Sequence, residues 1–387
     1  MYDFDTVIDR CHTNSLKYDF KTERGKPADV LPLWVADMDF RAPACVINAL
    51  ADKCRHGIFG YADTGAQYTA VLKDWFARRF GFYIEPDWLV KTPGVVAAIH
   101  IAIKVLTKPD DAVVIQQPVY HPFASAVRLT GRKLVVNALV LQHGRYAVDF
   151  EDFEEKIAQN AVKLFILCNP HNPVGRVWTK AELTRLGDIC LRHGVRVVSD
   201  EIHADIVYPT VTHQVFANLS PAHLDMTVTC TAPSKSFNLA GLQLSNIFIA
   251  NEKHRRAFIK AYAASGLSQV NIMGITACEA AYKDGEPWLE ALKDYLYNNL
   301  TFMRHFIARE LPQLSLIQPE GTYLVWLDCC RLGLTPEKLN HFMLHRAGLW
   351  LSDGSQFGAG GEGFQRMNIA CPQVVLRQAL ARLSQAI

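Results

Sequence analysis

KLFILCNPHNPVGRVWTKAELTRLGDICLRHGVRVVSDE, residues 163–201, decides the fold. Two apolar runs of strand length, KLFILCNP (163–170) and VRVVSDE (195–201), bracket a segment with helical patterning. That segment, TKAELTRLGDICLRHG (179–194), opens on Thr179, carries Glu182 three residues later and closes at Gly194. Such spacing predicts a helix with a capping box at its start and a glycine stop at its end. Strand, helix and strand in succession make a βαβ unit and imply a mainly parallel sheet. The pattern extends both ways, with further strands predicted at AVVIQQP (112–118) and MTVTCTAPS (226–234). Residues from about 50 to about 285 therefore read as one α/β body. Beyond it come a long helix over 286–311, a strand TYLVWLD (322–328) and a helix over 336–347, the outline of a smaller α+β unit. The first 45 residues show no clear periodicity.

Composition excludes several classes of function. The chain has 387 residues, half of them hydrophobic, which is enough for about two domains. Lys plus Arg number 40 against 38 Asp plus Glu, so a charge of +2 gives no electrostatic case for nucleic acid or an anionic membrane as main partner. The ten cysteines are scattered, form no C-x-x-C and fit no zinc spacing, which points to a reducing compartment. MYDFDTVIDR has neither a basic flank nor an apolar stretch of signal-peptide type, and no apolar run approaches the roughly 18 residues of a membrane helix. The expectation is a soluble cytoplasmic protein.

The chemistry lies just after the strands. AVVIQQP runs into Val119-Tyr120, LFILC into Asn169-Pro170-His171-Asn172, VRVVS into Asp200-Glu201-Ile202-His203, and TVTCTAPS into Lys235. Ligands of open parallel sheets bind beyond the carboxyl ends of the strands, so an aromatic ring, an amide, a carboxylate and an amine are expected in one crevice. Any one has an ordinary explanation, such as a helix-capping Asp or a surface Lys. Together they suit pyridoxal 5'-phosphate (PLP), which needs an amine for a Schiff base, an acidic partner for its pyridine nitrogen, a donor for its ring oxygen and an aromatic face. A phosphate cradle is predicted at Thr92-Pro93-Gly94-Val95-Val96, ahead of a helix with Val96, Ile99, Ile103 and Leu106 on one face.

These residues also carry a family resemblance. LPLWVADMDF (31–40), HGIFGYADTG (56–65), CNPHNPVGRVW (168–178), VVSDEIH (197–203), APSKSFNLAGLQ (232–243) and RMNIACP (366–372) resemble fold-type I PLP enzymes of the class I/II aminotransferase superfamily. The resemblance spans the whole chain and is strongest to the cystathionine β-lyase (C–S lyase) group called MalY/PatB. It implies an α/β PLP-dependent transferase fold, with a mainly parallel sheet flanked by helices and a smaller α+β domain. The division implied is an N-terminal arm with part of the small domain (1–48), a large PLP-binding domain (49–285) and a C-terminal small domain (286–387).

The resemblance further implies roles. Lys235 would hold PLP covalently and act as the proton-transfer base, and Asp200 would pair with the pyridine nitrogen. Tyr120 would stack on the ring, and Asn172 would hydrogen-bond the ring oxygen near the substrate. Gly94, Val95 and Val96, with Ser234, would surround the phosphate. Tyr61 would reach the phosphate of a neighbouring subunit in a homodimer with shared sites. Arg366 would clamp the substrate carboxylate through its fork, and Asp37 would border the substrate, with Trp34 beside it, unless the two simply pack the arm. The reaction implied is β-elimination of cystathionine or another cysteine S-conjugate, with transamination of an L-amino acid by a 2-oxo acid as alternative and a regulatory partner-binding role as second alternative. Ala232 departs from the Ser or Thr that many relatives place on the phosphate, and Gln243 from the phosphate-binding Arg of aspartate-type aminotransferases. Gln243 resembles the lyase group instead.

Other motifs are decoys. Gly358-x-Gly360-x-x-Gly363 matches a dinucleotide fingerprint but is followed by the strand-like RMNIAC rather than a helix, so it reads as a mobile loop near the site entrance. His341 and His345 stand four apart without the metalloprotease Glu. His171 and His203 flank the site, where either would line the pocket or serve a structural hydrogen bond.

Overall fold

Seven strands form the central sheet of the computed structural model, which describes residues 2–387. They are β1 (Leu89–Thr92), β2 (Ala112–Gln117), β3 (Lys133–Ala138), β4 (Leu164–Cys168), β5 (Arg196–Asp200), β6 (Thr227–Thr231) and β7 (Ser245–Phe248). The sheet order is β1-β7-β6-β5-β4-β2-β3. Pairings among β6, β5, β4, β2 and β3 are parallel, and β7 alone runs antiparallel to both its neighbours. The expected mainly parallel α/β sheet is therefore present.

The inner strands Ala112–Gln117 and Leu164–Cys168 are buried at every position and largely apolar because both sheet faces are covered. Side chains alternate between two cores with the period of a strand. Val113, Ile115, Leu164, Ile166 and Val198 pack with the helix Val95–Leu106 on one face. Val114, Phe165, Leu167 and Val197 pack with the helices Phe150–Gln159 and Lys180–Arg192 on the other. The second of these helices has the capping box read from sequence: Thr179 Oγ1 accepts from the Glu182 N–H, and Glu182 accepts from the Thr179 N–H. Gly194 follows in the left-handed region with φ +64°.

A four-stranded antiparallel sheet lies beyond the long helix Glu286–Glu310. Its strands are β8 (Ser315–Ile317), β9 (Leu324–Asp328), β10 (Ser352–Asp353) and β11 (Phe364–Asn368), in the order β8-β9-β11-β10. The two ends of the chain meet there. Leu31–Pro32 pairs in parallel with Leu349–Trp350, and Arg382 donates to the carbonyls of Asp29 and Gly348. Among the described residues no helix is long and apolar enough to cross a membrane.

Local differences from the sequence reading have physical causes. Lys235 does not follow β6 directly but sits on a single helical turn, Pro233–Ser236, started by a proline whose ring presets helical φ. The loop at Gly358, Gly360 and Gly363 is fastened rather than loose. All three glycines have positive φ, the Ala359 N–H donates to Gln117 Oε1 at 3.0 Å, and a Cβ at Gly358 would lie 2.2 Å from the Gln117 side chain.

Candidate active site

A cavity of about 400 Å³ opens at the carboxyl ends of β2, β4, β5 and β6. Tyr120, Asn172, Asp200, Ser234, Lys235 and Arg366 line it, and so do Gly94, Val95 and Val96. The groups come from six separate segments, and sheet register is what gathers them. Cys168 is paired with Asp200 in neighbouring parallel strands, and Asp200 with Cys230 in the next, so their chain exits are level. The helix Val95–Leu106 begins at Gly94 with no side chain capping it, so its first N–H groups are free to meet an anion. No protein atom stands within 4 Å of where a Gly94 Cβ would be.

Lys235 lies deep in the cavity, where its Nζ donates to the Ala36 carbonyl at 2.7 Å. Tyr323 donates to the same oxygen at 3.0 Å. Burial lowers the Lys235 amine to about 8, within reach of its neutral, nucleophilic form. Arg366 donates to Asn172 Oδ1 at 2.9 Å, to the Trp34 carbonyl at 2.9 Å and to Ser352 Oγ at 3.1 Å, while its Nε is buried without a partner. Its guanidinium also lies 4.9 Å from the Phe357 ring centroid.

Asp200 has the least satisfied charge of the set. Its Oδ1 accepts only the Ile202 N–H, at 3.1 Å, and among the described residues no basic side chain pairs with it as a salt bridge. Burial pushes its carboxyl up to about 7. A buried carboxylate without a cation is costly. It fits a ligand that brings a protonated ring nitrogen, and with an amine, a free helix start and an aromatic side chain around the same space, the donor set fits PLP.

This geometry has a consequence for the ligand-free protein. Between the ordinary carboxylate value of about 4 and about 7 the folded chain keeps a proton that the unfolded chain has released. Stability therefore falls as pH rises through that window. Ligand-free Asp200→Asn is expected to melt at a higher temperature than ligand-free wild type at about pH 8, with the gap closing toward pH 5 as the wild-type carboxyl takes up its proton. Thermal melts with and without PLP check this, and PLP should raise the wild-type melt more than that of the variant.

Two residues lie outside the cavity. Tyr61 is 97% exposed, on a segment without helix or strand. Asp37 is not among the lining residues, although its charge favours the protonated form of the Lys235 amine. Its carboxylate is held by Arg10 at 2.6 Å and approached by Lys17 at 3.8 Å, which ties it to the N-terminal arm. Trp34 does both things considered for it, lining the cavity and stacking on Trp350 at 4.3 Å. His203 lines the cavity, with Nδ1 buried and unpartnered, and burial lowers it to about 3, so it is a neutral imidazole. His171 is structural, its Nε2 lying 2.9 Å from the Pro118 carbonyl oxygen. Tyr323 went unmarked in the sequence because its run reads as core strand.

Comparison with known proteins places this geometry. The family model described as aminotransferase class I and II matches residues 28–383. The chain is 43% identical over 384 residues to the cystathionine β-lyase PatB of Bacillus subtilis, covering 99% of each. Cystalysin from Treponema denticola, a crystal structure containing a PLP cofactor, superposes with a TM-score of 0.96 at 37% identity, over 100% of this chain and 98% of that one. The PLP-bound C–S lyase from Staphylococcus hominis gives a TM-score of 0.93 at 34% identity, over the same shares.

Proposed function

The chain belongs to the aminotransferase class I and II family, and from that premise we propose how its cavity works as a PLP-dependent carbon–sulfur lyase. The reaction is β-elimination from cystathionine or a related cysteine S-conjugate. With one water consumed, the Cβ–S bond breaks to give a thiol, pyruvate and ammonia, the thiol being homocysteine when cystathionine is the substrate. The observation that carries this reading is the pair of half-buried Lys235 and buried Asp200, an amine lowered to about 8 and a carboxylate without a salt-bridge partner, in one cavity.

PLP, when bound, supplies an electron-accepting ring that makes the Cα proton of an attached amino acid removable. Asp200 would hold the ring nitrogen protonated. Tyr120, half-buried at the end of β2, would face the ring, and Asn172 would donate to its oxygen. The start of the helix at Gly94, Val95 and Val96, with Ser234, would receive the phosphate. Lys235 Nζ, once free, takes the Cα proton. Arg366 would hold the substrate carboxylate, its guanidinium oriented by Asn172, Ser352 and the Trp34 carbonyl.

The enzyme would act as a homodimer in which Tyr61 reaches the partner's phosphate site. Its near-complete exposure, beside exposed Ile58 and Phe59, supports this, since a protein surface has little reason to expose three such side chains together. Mixing inactive Tyr61→Ala with inactive Lys235→Ala under subunit exchange should then restore activity, because one of the two sites in a mixed dimer is intact. Absence of any recovery, with exchange verified by mass, argues against shared sites.

Incubation with L-cystathionine and no keto acid tests the reaction. Equal amounts of homocysteine, pyruvate and ammonia are expected. Strict dependence on an added keto acid would make the protein an aminotransferase instead.

A further inference from the structure

The N-terminal arm is anchored by charge at the mouth of the cavity. Residues 5–30 contain no helix or strand. The Asp19 carboxylate nevertheless closes a loop by accepting the N–H groups of His12, Thr13 and Ser15 at 2.8–3.0 Å. Within that loop Lys17 has no exposed surface, and its Nζ lies 2.8 Å from Asp39 Oδ2 and 3.8 Å from Asp37 Oδ1. Arg10 pairs with the same two carboxylates at 2.7 and 2.6 Å, and the Tyr18 hydroxyl donates to Asp39 at 3.1 Å. Two cations against two carboxylates leave the cluster neutral, which allows an ammonium group to stay buried.

Leu16, the residue before Lys17, is 47% exposed and lines the cavity. A leucine at the surface beside a fully buried lysine inverts the usual preference of both residues. The inversion makes sense when Lys17 is the anchor and Leu16 the residue being placed. The anchor also reaches the far side of the same wall. Asp37 and Asp39 belong to the segment whose Ala36 carbonyl accepts from Lys235 and whose Trp34 carbonyl accepts from Arg366.

An amino acid with its carboxylate at Arg366 and its Cα at Lys235 leaves its sulfur substituent to meet the remaining lining. Leu16, Trp34 and Val35 offer apolar surface there. Among the described residues lining the cavity, the charged side chains are Asp200, Lys235 and Arg366, and all three are already engaged in that arrangement. We propose that Leu16, held over the cavity mouth by the Lys17–Asp39 anchor, is a specificity-determining residue that favours extended apolar sulfur substituents. The proposal rests on the lyase reading and defines part of its substrate class.

The test compares S-butyl-L-cysteine with S-methyl-L-cysteine on the holoenzyme. In Leu16→Ala the ratio of kcat/KM for the butyl over the methyl substrate should fall about tenfold, the range expected for lost apolar contact in a pocket. The change should lie in KM more than in kcat. Lys17→Met, which leaves Leu16 in place but unanchored, should lower the same ratio. Leu16→Ala is at a half-exposed position and carries the test even if Lys17→Met does not fold. Binding of L-norleucine against L-alanine, read from the absorbance of the bound cofactor, makes the same comparison without any leaving group, so failure of the lyase reading is distinguishable from failure of this one. An unchanged ratio in Leu16→Ala, or equal losses for short and long side chains, overturns the proposal. A lowered ratio in Leu16→Ala with an unchanged one in folded Lys17→Met overturns the anchor.

Discussion

Replacing Lys235 with alanine lowers pyruvate release from L-cystathionine by at least about 10³-fold, since both a covalent attachment and a general base are lost. The expectation follows from the isolation of this amine. It is half-buried, lowered to about 8 and held by the Ala36 carbonyl, and it is the only lysine lining the cavity among the described residues. His203 is no substitute base. Burial, with Lys235 and Arg366 nearby, takes it down to about 3, so it could accept a proton only weakly at neutral pH. The variant should keep its fold, because removing a partly desolvated amine relieves a desolvation cost and the Ala36 carbonyl keeps the Tyr323 hydroxyl as donor. Single-turnover assays of pyruvate, with circular dichroism as a control for folding, measure the loss. Activity within tenfold of wild type would remove Lys235 from the chemistry.

Asp200→Ala is the second large effect, expected to lower kcat by about 10²–10³-fold, the usual cost of removing one charge-stabilising group from a desolvated site. Distance from water is what makes this carboxylate strong. It is 5% exposed at the end of β5 and accepts a single backbone N–H. Without it the ring nitrogen would lose its anionic partner and the cofactor its hold. PLP affinity should therefore fall together with kcat, and the visible band of the bound cofactor should shift. Titration of the ligand-free variant with PLP separates the two losses. A variant that binds PLP as tightly as wild type and turns over at the same rate would contradict the assignment.

Much of this arrangement is legible in the sequence, for reasons that differ by element. LFILC and AVVIQQ are readable because strands covered on both faces are apolar along most of their length. The helix at Lys180–Arg192 is readable because Thr179 and Glu182 satisfy its start locally. The site is readable because parallel strands discharge their next residues to one edge, so Tyr120, Asn172, Asp200 and Lys235 are marked by position as well as by type. The N-terminal arm was opaque for the opposite reason. Lys17 finds its partners about 20 residues away, on a segment with no periodicity, and nothing local distinguishes it from a surface lysine. The pairing of Asp37 with Arg10 is hidden by the same cause, since the two stand 27 residues apart. Tyr323 was hidden inside an apolar run, where a hydroxyl aimed at the Ala36 carbonyl leaves no trace in the pattern.

Reduction of the PLP-loaded protein with borohydride, followed by peptide mass analysis, bears most directly on the claim that these strand ends make one PLP site. A single cofactor adduct, on the peptide carrying Lys235, and loss of the visible absorption band are expected. An adduct on a different lysine, or a protein that takes up no PLP, would contradict it.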